Sequence, residues 1–202
     1  MVQHPLIEDV LAGLRSRATP PEEFRRLARR VGLLLAAVAT GDLPLADDVV
    51  ETPLESARVK RLASRVVAVP VLRAGLGMLD AFLEIVPQAE VGYFGLERNE
   101  ETAVARRYYE KLPRDLGAAV VFLLDPMLAT GGSASLAVDG LQALGARGVR
   151  LLSVVSAPEG IRQLEAQAPE TLIFTAAVDR ELNDRKYILP GLGDFGDRLY
   201  GT

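Results

Sequence analysis

Residues 120–144 carry the side-chain types that an anion-binding site needs. The apolar run Val120-Val121-Phe122-Leu123-Leu124 leads to Asp125, then to Pro126-Met127-Leu128-Ala129-Thr130-Gly131-Gly132-Ser133, then to a helix-like segment from Ala134. This reads as strand, tight loop and helix. A loop ending in Thr-Gly-Gly-Ser at a helix start gathers backbone N–H groups and hydroxyls at the positive end of the helix dipole, which suits a phosphate. Asp125 would lie beside that anion and be repelled by it. A carboxylate there makes sense when the ligand also brings hydroxyl donors or a metal, as a phosphorylated sugar does.

Two more loops could share such a ligand. Arg73-Ala74-Gly75-Leu76-Gly77 and Arg98 each follow an apolar run. Arginine offers a fork of donors to phosphate oxygens, and glycine lets backbone N–H groups come close. The composition removes other chemistries. Without cysteine there is no disulfide, thiolate or Cys-ligated metal, and the single histidine, His4, supports neither a multi-histidine metal site nor a His-centred triad. Its position suggests a frayed or helix-capping role. Net charge of -4 argues against bulk nucleic-acid binding. Lysine occurs only at Lys60, Lys111 and Lys186, so nearly all positive charge is arginine.

The elements that must position these residues follow from periodicity. Residues 6–17 have apolar groups at helical spacing, and Thr19-Pro20-Pro21-Glu22 stops that helix and starts another to about Ala39. In the second helix Phe24, Leu27, Val31, Leu34, Leu35 and Val38 form the buried stripe, with Arg25, Arg26, Arg29 and Arg30 on a mainly solvated face. Residues 40–63 read as a connection with a short strand at 49–52. Strands are expected at 66–72, 89–96, 120–125, 150–156 and 171–176, with helices at 78–85, 134–144 and 158–167. Such alternation predicts an α/β fold, an open, mainly parallel sheet of about five strands with helices on both faces. The three loops then fall at the C-terminal edge of the sheet, where ligands bind in such folds. Residues 98–114 break the alternation and suggest a hairpin lid. Residues 179–202, punctuated by Pro190, Gly191, Gly193 and Gly196, suggest a fixed loop rather than a helix or strand.

At 202 residues one domain is expected, with helical elements over 1–64, a core over 65–178 and a tail over 179–202. Hydrophobic content of 49% and charged content of 25% are those of a globular protein. No signal peptide is visible at the N-terminus, and the apolar run at 31–39 is too short to cross a bilayer, so a cytoplasmic protein is expected.

Residues 120–132 resemble the 5-phosphoribosyl 1-diphosphate (PRPP) motif of the type I phosphoribosyltransferases. The form Asp-Pro-Met-Leu-Ala-Thr-Gly-Gly-Ser, with Pro126 where most relatives have a second acid, is similar to that of the uracil phosphoribosyltransferases. The resemblance extends to His4-Pro5-Leu6, Pro70-Val71-Leu72-Arg73-Ala74-Gly75-Leu76-Gly77, Arg98-Asn99-Glu100-Glu101-Thr102, Ala157-Pro158-Glu159-Gly160 and Tyr187-Ile188-Leu189-Pro190-Gly191-Leu192-Gly193-Asp194. It implies a type I phosphoribosyltransferase-like fold with a C-terminal hood loop, and transfer of ribose 5-phosphate from PRPP to uracil in pyrimidine salvage, giving UMP. It also implies roles. Asp125 would bind the ribose hydroxyls, and residues 127–133, that is Met127, Leu128, Ala129, Thr130, Gly131, Gly132 and Ser133, would wrap the 5-phosphate. Pro126 belongs to the same PRPP loop. Arg73 and Arg98 would hold the diphosphate. Ile188, Gly193 and Phe195 would read uracil through backbone groups, and Asp194 would lie between base and PRPP as a second catalytic carboxylate. Two departures stand out. Phe195 replaces the usual alanine and could reshape the base pocket, and Ala103-Val104-Ala105-Arg106-Arg107 differs from the acid and proline residues common in the lid. Mg²⁺ held mainly by PRPP and water, a homo-oligomer, and in some relatives activation by GTP complete what the resemblance implies. Two alternatives share the fold: an RNA-binding pyrimidine regulator using the arginines near 25–30, and a purine phosphoribosyltransferase.

Overall fold

The computed structural model describes residues 1–98 and 105–202. Two helices open the chain, α1 (Pro5–Arg15) and α2 (Pro21–Ala39). Both begin with proline in the first turn, where its missing N–H costs no hydrogen bond. His4 caps α1, its Nδ1 accepting from the Leu6 N–H at 3.1 Å. Of the frayed and capping roles expected for it, the capping one is present.

An antiparallel hairpin follows, β1 (Leu45–Glu51) and β2 (Ser56–Leu62), in register from Leu45 opposite Leu62 to Glu51 opposite Ser56. Here the expectation of a connection with one short strand falls short. Both faces of the hairpin are largely exposed, so the sequence has no alternation to betray it. The turn is closed by Thr52, whose hydroxyl accepts from the Leu54 and Glu55 N–H groups.

The remaining elements are β3 (Arg65–Leu72), α3 (Leu76–Ile85), β4 (Glu90–Val91), β5 (Tyr93–Arg98), β6 (Ala105–Lys111), β7 (Ala119–Leu124), β8 (Met127–Leu128), α4 (Gly132–Ala143), β9 (Val149–Ser156), α5 (Pro158–Gln167), β10 (Leu172–Val178), β11 (Glu181–Leu182), β12 (Ile188–Leu189) and α6 (Phe195–Tyr200). The main sheet runs β10-β9-β7-β3-β5-β6. Its first five strands are parallel neighbours, and only β6 is antiparallel. The expected parallel core is thus present, extended by one edge strand and by the short β4 and β8.

Neighbouring residues along the strands serve opposite cores. Val66 and Ala68 of β3 and Phe122 and Leu124 of β7 pack under α1, α2 and α3. Val67, Val69, Val71, Val121 and Leu123 pack under α4 and α5. Strands buried on both faces need continuous apolar runs, which is why the sheet was readable. From β3 the chain goes to β5 on one side and then returns to β7 on the other. The crevice of this reversal opens between the C-terminal ends of β3 and β7.

Of the expected hairpin lid over 98–114, residues 99–104 lie outside the described residues, while β5 and β6 pair as an antiparallel hairpin with a register shift between Gly95 and Leu96. The tail is more ordered than expected. It contains a small antiparallel pair, β11 with β12, and the helix α6. Asp194 caps α6 by accepting from the Asp197 N–H, Gly201 ends it in the left-handed region, and buried Phe195 and Leu199 anchor it. Among the described residues no helix is long and apolar enough to cross a membrane.

Candidate active site

A cleft of about 290 Å³ opens at the β3–β7 crevice. Arg73, Ala74, Asp125, Met127, Leu128, Ala129, Thr130, Gly131, Ser133 and Ala134 line one part, and Lys186, Tyr187, Ile188, Gly193, Asp194 and Phe195 the other. The two sequence loops and the tail therefore converge on one space. Arg98 ends β5 opposite Ala105, and its side chain lies outside the described residues.

Parallel pairing at the sheet edge builds the floor. Asp125 comes just after β7, its N–H donating to the Leu152 carbonyl at 3.1 Å. Burial at the base of the cleft pushes its carboxyl up to about 6 from an ordinary 3.8, with the Met127 N–H at 3.5 Å opposing the rise. The loops after β3 and β7 touch here: a Cβ on Gly75 would stand 2.3 Å from the Leu124 carbonyl oxygen, so only glycine permits the contact.

The loop after β7 is more tightly built into the scaffold than its sequence suggested. Met127 and Leu128 form β8 against β9, the Leu128 N–H donates to the Ser153 hydroxyl at 3.2 Å, and the Ala129 N–H donates to the Met127 carbonyl at 3.0 Å. The N–H groups of Leu128 and Ala129 thus have partners within the scaffold. Pro126 is buried with its carbonyl accepting from Val154 and Val155, and neither Pro126 nor Gly132 lines the cleft. The part of the loop that lines the cleft beyond β8 is Ala129, Thr130, Gly131, Ser133 and Ala134. Gly131, at φ 84, turns the chain into α4 two residues earlier than the sequence indicated, so Gly132, Ser133 and Ala134 occupy its first turn. N–H groups of a first helical turn have no intrahelical acceptor and point toward a ligand at the dipole's positive end.

Arg73 projects from the β3 loop, its guanidinium 3.6 Å from Asp197 and 5.7 Å from the centre of the Tyr200 ring. The Tyr200 hydroxyl donates to the Arg73 carbonyl at 3.3 Å. The Leu72–Arg73 and Leu189–Pro190 peptides are both cis. Asp194 faces the cleft and accepts from the Asp197 N–H at 2.9 Å. Thus α6 touches Arg73 on one side and is capped by Asp194 on the other.

The Phe195 ring does not fill the cleft. Its side chain is 1% exposed and turned into the core, edge-on to Phe24 with centroids 5.1 Å apart. The ring thus fills core volume, while residue 195 also borders the cleft. Lys186 and Tyr187 were not singled out as site residues, although Lys186 is one of only three lysines and sits just before the tail motif.

The arginine face of α2 is engaged rather than free. Arg26 pairs with Glu23, Arg29 with Glu84, Arg30 lies 3.8 Å from Asp9, and Arg25 donates to the Leu199 carbonyl. A solvated, ion-paired face matches the sequence reading and gives no support to an RNA surface. Among the described residues no three His, Cys, Asp or Glu side chains gather as a metal cage. The cleft's carboxylates, Asp125 and Asp194, fit a hard cation that arrives on substrate oxygens and do not fit one held by protein alone.

The family model described as uracil phosphoribosyltransferase matches residues 1–202. The uracil phosphoribosyltransferase of Thermus thermophilus is 50% identical over 100% of this chain and 98% of its own. That of Streptococcus equi subsp. zooepidemicus is 47% identical over 100% and 97%. Among solved structures, a protein from Aquifex aeolicus superposes with TM-score 0.96 at 40% identity, covering 100% of this chain and 97% of that one. A hypoxanthine phosphoribosyltransferase from Trypanosoma cruzi aligns with TM-score 0.52 at 11% identity over 78% of this chain and 76% of its own, a likeness of fold alone.

Proposed function

The chain belongs to the uracil phosphoribosyltransferase family, and from that premise we propose that it transfers ribose 5-phosphate from PRPP to N1 of uracil, forming UMP and releasing diphosphate. The observation that carries the reading is one cleft lined together by the start of α4, by Asp125 after β7 and by the tail residues Ile188, Gly193, Asp194 and Phe195. Such a cleft matches a ligand with a phosphate at one end, hydroxyls in the middle and a planar base beyond.

The N1–C1′ bond forms as the bond from C1′ to the diphosphate oxygen breaks, through a transition state with oxocarbenium character. The proton on uracil N1 leaves to solvent or to the diphosphate. Catalysis then requires holding a departing polyanion and placing the base, with little demand for a nucleophilic side chain. Residues 130–134 hold the 5-phosphate, Asp125 accepts from the ribose hydroxyls, and Arg73, joined by Arg98, takes the diphosphate. Ionised Asp125 would also offset the positive charge that develops at C1′. Ile188, Gly193 and the backbone at Phe195 read the base, with Asp194 between the two substrates. Mg²⁺, carried on the diphosphate with Asp125 and Asp194 nearby, would neutralise charge on the leaving group.

A panel of uracil, hypoxanthine, adenine and orotate with PRPP and Mg²⁺, followed by diphosphate release, tests this reading. Release with uracil and none with the other bases is expected. Release with a purine, or none with any base, overturns it. We also propose a homo-oligomer. The β1–β2 hairpin supports this, because a two-stranded ribbon with Leu45, Val49 and Leu54 exposed has little to hold it alone. Light scattering showing only a monomer would exclude it.

A further inference from the structure

Outside the cleft, one buried ionic cluster grips the tail loop by its backbone. Arg15, the last residue of α1, reaches Asp179 just beyond β10 in a two-pronged contact, Nη2 to Oδ1 at 2.7 Å and Nη1 to Oδ2 at 2.8 Å. The same Nη1 donates to the Gly191 carbonyl at 2.8 Å, and the Gly191 N–H donates to Asp179 Oδ2 at 2.7 Å. Both backbone groups of one loop residue are therefore met by the pair. The Asp179 side chain is only 5% exposed, and its own N–H is fixed to the Ser156 carbonyl at 2.9 Å. A second guanidinium continues the grip, with Arg198 Nη1 donating to the Leu192 carbonyl at 2.8 Å.

Gly191 and Leu192 lie between Ile188 and Gly193, the residues at the base end of the cleft, whereas neither Arg15 nor Asp179 lines it. We propose that Arg15 and Asp179 are positioning residues for base recognition, setting where the backbone donors and acceptors of the tail meet the pyrimidine. This deepens, and rests on, the uracil-transfer reading above. An apolar pair would not serve, because the buried N–H and carbonyl of Gly191 would then lose their partners. A pair of opposite charge supplies a donor and an acceptor together, and the fork of Arg15 fixes their geometry. Reading by backbone groups demands such support, since a displacement of about 1 Å in a positioned group can cost on the order of a hundredfold in rate.

The test uses Arg15→Lys and Asp179→Asn, each of which keeps size and one hydrogen bond while spoiling the fork. For each, kcat/KM for uracil and for PRPP, the thermal midpoint, and the dissociation constants of UMP and ribose 5-phosphate are measured. KM for uracil is expected to rise about tenfold or more and KM for PRPP by no more than about twofold. UMP binding should weaken in step with uracil while ribose 5-phosphate binding holds, and the double variant should lose little more than either single one. A merely structural pair would weaken UMP and ribose 5-phosphate alike, in proportion to the loss of thermal stability, and that pattern overturns the proposal. So do variants that use uracil as the parent does. A parent protein that binds PRPP but makes no UMP would instead remove the transfer reading, and the positioning role with it.

Discussion

Asp125→Asn is expected to stabilise the ligand-free protein while crippling its use of PRPP. Burial lifts the Asp125 carboxyl from 3.8 to about 6. At ~1.4 kcal/mol per pH unit that rise costs the folded state about 3 kcal/mol once the group is ionised, and water in the open cleft reduces this to about 2 kcal/mol. The sign follows from linkage. Below about pH 3.8 the group is protonated folded or unfolded and the penalty is absent, it grows as pH rises from about 4 to 6, and it is complete above about 6. Asparagine carries no charge and keeps an acceptor for the Met127 N–H. The variant should therefore melt roughly 4–8 °C higher than the parent at about pH 8, with the gain shrinking toward zero at about pH 4. Meanwhile kcat/KM for PRPP should fall on the order of a hundredfold or more, as charge-assisted bonds to ribose hydroxyls are lost. Calorimetry across pH with the rate assay alongside checks both halves. A gain that does not vary with pH, or a variant no more stable than the parent at about pH 8, refutes the burial argument. An unchanged kcat/KM refutes the role.

Phe195→Ala should cost about 3–5 kcal/mol in denaturant unfolding because it empties a site packed against Phe24, yet leave the preference for uracil over other bases unchanged. A changed base preference would mean that the ring, not only the backbone, shapes the pocket. Gly131→Ala forces a Cβ to 2.9 Å from the Gly160 carbonyl at φ 84, so affinity for ribose 5-phosphate should drop tenfold or more, measured by calorimetric titration. Gly75→Ala meets the Leu124 carbonyl at 2.3 Å and should yield little folded protein, which expression and circular dichroism would show.

The parallel core was legible because both faces of β3, β7 and β9 are buried, which demands unbroken apolar runs such as Val66 to Leu72. The crevice followed from topology once those strands were placed. The hairpin of β1 and β2 was not legible, since strands exposed on both faces show no alternation. In the tail, Gly191, Gly193 and Gly196 masked α6, whose cap at Asp194 and anchors at Phe195 and Leu199 outweigh local propensity. The direction of Phe195 depends on Phe24, far away in the chain, and the contact of Arg15 with Asp179 spans 164 residues. Nothing in local spacing encodes such pairs.

Arg198 also donates to the carbonyls of Leu14 and Ser16, so α6 is tied to the end of α1 as well as to Leu192. Ribosomes make residues 130–134 before residues 188–198. A growing chain therefore carries the loop after β7 before the tail exists, and α6 can be fastened only once a late arginine, Arg198, meets the end of an early helix.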